Sequence, residues 1–278
     1  MIITIASGKG GTGKTIVATN LAVSLGKAQL IDCDVEEPNA NIFLNAEIVE
    51  STEVTVDIPA IDKQKCNFCG KCSEFCAYNA LAVVPSDALV FAELCHSCGG
   101  CQLVCPEDAI GWKKRSIGRI EHGTVDDFDF YHGLLNVGEI MAIPVLKELK
   151  KKIDTTKTVI LDAPPGTSCP VIETLHGSDY CLLVTEPTPF GLHDLKLAVD
   201  VVRTMRIPFG VIINRDGVGD KRVELYCQQE KIPVLMKIPY SREIAELYSK
   251  GILFSRELSD WREKFVHLFN TIAAEVKP

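Results

Sequence analysis

Short apolar runs alternate along this chain with longer stretches in which apolar positions recur every three to four residues. The runs Met1–Ala6, Gln29–Asp32, Thr158–Leu161, Tyr180–Thr185, Phe209–Ile213 and Val234–Ile238 are bounded by turn residues or proline and read as short buried strands. Helical spacing covers about 14–25, 191–204, 220–230, 241–249 and about 258–276, the last placing Trp261, Phe265, Leu268, Phe269 and Ile272 at helical intervals. Strands alternating with helices predict an α/β fold, a mostly parallel sheet with helices on both faces. The polar face of the final helix mixes acids and bases, so packing onto the sheet is expected rather than adsorption to a membrane.

Residues 58–112 break this rhythm and contain a direct repeat. Cys66–Val84 and Cys95–Lys113 align at an offset of 29 residues, with Asn79-Ala-Leu matching Asp108-Ala-Ile. The expected organisation is therefore a discontinuous domain of residues 1–57 and 113–278 carrying a small α+β insert at 58–112. So short a unit has too little apolar surface for its own core, and bound metal groups must help it fold.

The 278 residues suit one large domain with a small insert, and 46% hydrophobic residues are enough to fill its core. A net charge of −8 argues against nucleic-acid binding, which needs basic surface to displace counterions. No apolar run approaches membrane-spanning length, so stable membrane insertion is not expected. Met1–Ala6 reads as a strand and not as a leader. Twelve cysteines in such a chain point to a reducing cytoplasm and to metal ligation rather than disulfides.

The first strand leads into Gly8-Lys9-Gly10-Gly11-Thr12-Gly13-Lys14-Thr15, a phosphate-binding loop that opens the first helix. Glycines let several backbone N–H groups turn toward one anion at the positive end of a helix. Lys14 is expected along the outer phosphates of ATP, and Thr15 on Mg2+.

With its second lysine, Lys9, the loop resembles the deviant Walker-A ATPases of the MinD/ParA family. That resemblance implies a P-loop sheet and a homodimer with ATP sandwiched at its interface, where Lys9 crosses to the partner's phosphates. Leu30-Ile-Asp32-Cys33-Asp34 resembles the family's switch I, which makes Asp34 the acid that orients the attacking water. Val159-Ile-Leu-Asp162-Ala-Pro-Pro-Gly166 resembles Walker B followed by switch II, with Asp162 holding Mg2+ and Gly166 sensing the γ-phosphate. Asn214 resembles the family's adenine-reading asparagine, and Pro239 matches a position near the base. Catalysis is thus expected from Lys9, Lys14 and Asp34.

The insert carries Cys66-x2-Cys69-x2-Cys72-x3-Cys76 and Cys95-x2-Cys98-x2-Cys101-x3-Cys105. Both runs resemble the two-cluster bacterial ferredoxins, whose fourth cysteine ligates the other cluster. That implies one [4Fe–4S] cluster on Cys66, Cys69, Cys72 and Cys105, and a second on Cys76, Cys95, Cys98 and Cys101. Gly70, Gly99 and Gly100 are expected to let N–H groups approach the cluster sulfurs. Only the second run has proline after its last cysteine; Ala77 stands there in the first. Structural zinc is the competing use of paired cysteines, but it does not explain this spacing twice. Of the remaining cysteines, Cys181 reads as core, Cys227 as inert in a helix and Cys33 as facing the sheet. Cys169 follows Asp162 at a spacing that resembles a cluster ligand of the nitrogenase iron protein.

Three functions fit these parts. The first is an ATP-gated electron-transfer protein with a redox partner. The second is an ATP-dependent iron–sulfur cluster carrier or metallocofactor-assembly factor. The third is a redox-sensing switch related to the positioning ATPases.

Overall fold

The computed structural model describes residues 1–126 and 128–276. The first part contains β1 (Ile2–Ala6), α1 (Lys14–Leu25), β2 (Ala28–Asp32), α2 (Ala40–Leu44) and β3 (Glu47–Ile61). Then follow α3 (Lys71–Phe75), β4 (Leu81–Val84), β5 (Asp87–Val90), α4 (Gly100–Leu103), β6 (Ile110–Val125) and β7 (Phe128–Leu135). The remainder is α5 (Ala142–Lys150), β8 (Thr158–Asp162), α6 (Cys169–Leu175), β9 (Tyr180–Thr185), α7 (Pro189–Thr204), β10 (Phe209–Asp216), α8 (Arg222–Gln229), β11 (Val234–Pro239), α9 (Arg242–Ser249), α10 (Phe254–Glu257) and α11 (Ser259–Val276).

Nine strands form one sheet in the order β11-β10-β9-β1-β8-β2-β7-β6-β3. The pairings from β11 across to β7 are parallel, and β6 and β3 add an antiparallel edge. Successive side chains of a strand point to opposite faces, so central strands covered on both sides are apolar throughout. Ile160 and Leu182 pack with Leu21 of α1 and Phe265 of α11 on one face. On the other, Val159 and Leu161 meet Leu146 and Leu149 of α5, while Cys181 and Leu183 meet Val199 of α7. The expected strands and helices are all present. The final helix joins the core through Trp261, Phe265, Leu268 and Ile272, and its Trp261 and Phe265 rings pack on Phe254 of α10.

β3, β6 and β7 were not among the expected strands, although Val54, Val56 and Ile58 of β3 and Phe128 and Phe130 of β7 alternate with polar residues. β3 and β6 pair with each other from Glu47–Thr124 to Ile61–Ile110. Only Gly118–Val125 of β6 also pairs with β7, so the far half of the two-stranded ribbon projects past its neighbour. It extends beyond the C-terminal ends of the parallel strands, the edge where ligands bind in open α/β sheets. Both ribbon strands run without a break through residues 58 and 112, the borders expected for the insert. The compact repeat lies between Ile61 and Ile110.

The repeat is visible in the backbone. Phe68 and Ser97 have φ of 58° and 56°, Gly70 and Gly99 78° and 80°, and Asn79 and Asp108 52° and 49°. Each pair is separated by the offset read from the sequence.

Candidate functional site

The loop between β1 and α1 is braced from two sides and by one bond of its own. Gly166 N–H donates to the Ser7 carbonyl at 3.1 Å. The Ser7 hydroxyl donates to the Lys9 carbonyl at 2.6 Å, and Asn214 Nδ2 donates to the Thr12 carbonyl at 2.8 Å. Two glycines are required by space. A Cβ on Gly8 would lie 2.0 Å from the Asp194 carbonyl oxygen, and one on Gly13 (φ +96°) would lie 2.3 Å from Asn214 Nδ2. The loop opens into a cleft of about 840 Å3.

The cleft gathers Gly10, Gly11, Gly13, Lys14, Thr15, Asp34, Asn214 and Pro239 from distant parts of the sequence. Its far wall is Phe43, Tyr240, Ile244 and Tyr248, with the Phe43 and Tyr248 rings stacked at 5.2 Å. The sequence gave no warning of this wall, because Phe43 of α2, Tyr240 just past β11 and Tyr248 of α9 belong to no motif. Gly8, Thr12 and Gly166 contribute through the backbone. Thr12 is buried, and its hydroxyl has no partner among the described residues.

Three carboxylates meet one lysine at the base of the cleft. Asp162 is 1% exposed, and its carboxyl is held well above the ordinary range by burial and then by neighbouring Asp32, against the Thr15 hydroxyl and Lys14. Asp162 Oδ1 has no hydrogen-bond partner among the described residues. Burial and then Asp32 push the Asp34 carboxyl up to about 6. Lys14 is lowered by burial, and Asp162, Asp34 and Asp32 oppose that. A hard divalent cation on oxygen ligands would relieve this crowding of negative charge. Thr15, the unpartnered oxygen of Asp162 and the phosphate loop therefore fit Mg2+ and a polyphosphate.

Lys9 takes a different direction. Its ammonium lies 3.6 Å from Glu186, which also accepts from Arg215 at 2.7 Å. Glu186 is a buried acid just past β9. It is remote from Lys9 in sequence and went unnoticed there. The Asn214 amide is also more occupied than expected: besides donating to Thr12, its Oδ1 accepts from Arg215 N–H at 2.9 Å. It thus anchors the phosphate loop from a position expected to read the base.

The eight clustered cysteines divide between two small cavities on the ribbon. One is lined by Cys66, Cys69, Cys72 and Cys105 with Ile61 and Ile110, the other by Cys76, Cys95, Cys98 and Cys101 with Pro59 and Trp112. These are the two sets implied by the crossed ferredoxin pattern. Backbone N–H groups approach the sulfurs from Ala80 to Cys76 at 3.3 Å, from Ala109 to Cys105 at 3.4 Å and from Ser97 to Cys95 at 3.4 Å. The repeat's alanines supply two of these donors, while Gly70 lines the first cavity and Gly99 the second. Gly100 instead makes room for the Phe75 ring.

Among the described residues, no three His, Cys, Asp or Glu side chains converge closely enough to hold a single metal ion. Four thiols around a cavity rather than around a point fit a polynuclear cluster, which takes one thiolate at each corner. Cys33, Cys181 and Cys227 are buried, whereas Cys169 is exposed at the start of α6.

Comparison with known proteins places this geometry. Residues 3–254 match the CobQ/CobB/MinD/ParA nucleotide-binding domain. A Methanocaldococcus jannaschii protein of uncharacterized function is 35% identical over 279 residues, which cover 98% of this chain and 97% of the relative. An iron–sulfur cluster carrier protein of Aquifex aeolicus is 25% identical, covering 99% of this chain and 68% of its own length. Among solved structures, the cell division ATPase MinD of Pyrococcus furiosus superposes with a TM-score of 0.60 at 21% identity, covering 98% of both chains. MinD of Pyrococcus horikoshii, complexed with Mg-ADP, gives 0.59 at 20% identity over 96% of this chain and 93% of its own.

Proposed function

The chain belongs to the CobQ/CobB/MinD/ParA nucleotide-binding family, and from that premise we propose that it is a dimerising ATPase whose nucleotide state governs electron transfer through two [4Fe–4S] clusters. The observation that carries this reading is that the ribbon bearing both sets of cysteines shares one sheet with Asp32 and Asp162. It leaves that sheet on the same edge as the nucleotide cleft.

In this reading the loop N–H groups and Lys14 hold the phosphates, while Thr15 and Asp162 hold Mg2+. The metal offsets charge on the transferring phosphoryl group. Asp34 orients the attacking water. Lys9 leaves Glu186 to reach the phosphates bound by a second copy of the chain. Cys66, Cys69, Cys72 and Cys105 hold one cluster, and Cys76, Cys95, Cys98 and Cys101 the other. Bound clusters supply one-electron chemistry; the chain surrounds them and connects them to the switch segments. A redox protein exchanges electrons with them.

A second reading, an ATP-dependent cluster carrier or assembly factor, is favoured by the relatives that bear the carrier name. One experiment separates the two. The protein is purified anaerobically, its iron counted, and MgATP added beside an apo-ferredoxin. About eight irons per chain, retained through turnover, support electron transfer. ATP-dependent appearance of clusters on the apo-ferredoxin supports the carrier. A chain that takes up no iron sinks both. Among the described residues, no helix is long and apolar enough to cross a membrane.

A further inference from the structure

The two cysteine sets are related by the repeat, yet the fold treats them differently. Pro59 pairs with Trp112 and Ile61 with Ile110 on the ribbon. The cavity of Cys76, Cys95, Cys98 and Cys101 sits on the first rung, and that of Cys66, Cys69, Cys72 and Cys105 on the second. The Cys95 set is therefore two residues nearer the main sheet, about 7 Å along a strand.

Packing connects only one of the two sets to β2. Cys95 lies in one continuous buried apolar cluster with Ala80, Ile58, Val56, Val35 and Ile31, and Cys76 packs against it. Ile31 and Val35 flank Asp32 and Asp34 in sequence. Cys72 and Cys105 pack with Leu81 and Ile110 in a second small cluster, which includes Cys101 and is joined to the first by Cys76. Among the described residues, none of Cys66, Cys69, Cys72 or Cys105 is packed in the cluster that reaches β2.

Backbone contacts follow the same path. The Val35 carbonyl accepts from Leu135 N–H at 2.8 Å, and Leu135 pairs with Gly118 of β6. The fit is close: a Cβ on Gly133 would lie 2.6 Å from Val35 Cγ1. A shift of the segment after Asp32 is therefore passed to β7, β6 and the buried cluster that holds Ile58 and Cys95, because packed interiors transmit displacement rather than absorb it.

The coverings of the cavities differ too. Asn67 and Glu107 join by a 2.8 Å hydrogen bond at the Cys66 cavity. At the repeat-equivalent positions, the His96 and Tyr78 rings stack at 3.6 Å over the Cys95 cavity.

We propose that the two cluster seats have separate duties, and that the Cys76, Cys95, Cys98 and Cys101 seat alone responds to the nucleotide. The inference rests on the coupling of ATP to the clusters proposed above.

The test uses the full chain in matched variants, Cys69→Ala and Cys98→Ala, which alter repeat-equivalent ligands. MgATP affinity is measured for oxidised and dithionite-reduced protein, together with the midpoint potential of the surviving cluster. In Cys69→Ala the affinities are expected to differ tenfold or more, equivalent to a shift of about 59 mV in a one-electron couple. In Cys98→Ala the difference is expected to vanish. The reverse pattern, or equal responses, overturns the inference.

If either variant loses both clusters, the wild-type protein decides. Its two reduction waves are assigned with Tyr78→Leu, which changes only the Cys95 cavity, and Glu107→Gln, which changes only the Cys66 cavity. MgATP must then move the wave that Tyr78→Leu moves, and movement of the other wave overturns the inference. A wild-type protein in which MgATP moves neither wave sinks the coupling reading itself.

Discussion

Asp32 and Asp162 stand side by side in register on β2 and β8, and only one of them is free to take a ligand. Asp32 accepts backbone N–H bonds from Asp34 at 3.0 Å, Asn39 at 2.9 Å and Ala40 at 3.0 Å. Asp162 keeps an oxygen without a partner among the described residues. The first acid shapes the loop that carries Asp34, and the second keeps an oxygen for the Mg2+ proposed above.

Opposite effects of two similar substitutions follow. Asp32→Ala leaves three N–H groups without their acceptor, that of Ala40 buried, and should destabilise the nucleotide-free protein by about 1–3 kcal/mol. Asp162→Asn removes a buried charge beside Asp32 and should leave that stability unchanged or raised, while abolishing Mg2+-dependent nucleotide binding. Thermal unfolding and nucleotide titration with and without Mg2+ check both. Equal destabilisation by the two would contradict the division.

Lys14→Ala should abolish ATP hydrolysis and leave the iron content at the wild-type value. Lys14 lies among Asp32, Asp34 and Asp162 and makes no part of either cysteine-lined cavity. Phosphate release and iron assays on one preparation suffice. Loss of iron in the variant would mean that the ribbon does not fold independently of an intact cleft.

Asn214→Ala removes the bond to the Thr12 carbonyl, worth about 1 kcal/mol, and should raise the KM several-fold for ATP and GTP alike. Parallel kinetics with the two nucleotides test this. A loss confined to ATP would return Asn214 to reading the base.

The Asp34 carboxyl gives the nucleotide-free protein a pH dependence of defined sign. It titrates near 6 in the fold, through burial and the charge of Asp32, against an ordinary value of 3.8. Between those values the folded chain binds more protons than the unfolded one, so this contribution to stability falls as pH rises through the window. Asp34→Asn should flatten part of the decline, read as urea midpoints at pH 5 and pH 7. A variant with the full wild-type slope would show that Asp34 titrates normally.

The sequence made the buried half of the molecule legible and the ribbon illegible, for one reason. Val159–Leu161 and Leu182–Val184 are covered on both faces and read as unbroken apolar runs. β3 begins with exposed Glu47, Glu50 and Glu53, and β6 with exposed Lys113 and Lys114, so the apolar signal is confined to a short alternation, Val54-Thr55-Val56-Asp57-Ile58, that the charged flanks obscure. Their pairing depends on the other strand and not on local pattern. The cysteine sets were legible because ligand spacing repeats. The roles of Asp32 and Glu186 were not, since each depends on partners brought together only by the fold.

In the proposed function, nucleotide state and cluster state form one coupled equilibrium. The most direct measurement is a redox titration of the anaerobic wild-type protein, followed by EPR, with and without MgATP. The account predicts that MgATP shifts at least one midpoint potential by about 60 mV, roughly 1.4 kcal/mol of coupling for a one-electron couple. Fully loaded clusters whose potentials stay fixed while the protein binds and hydrolyses ATP would contradict it.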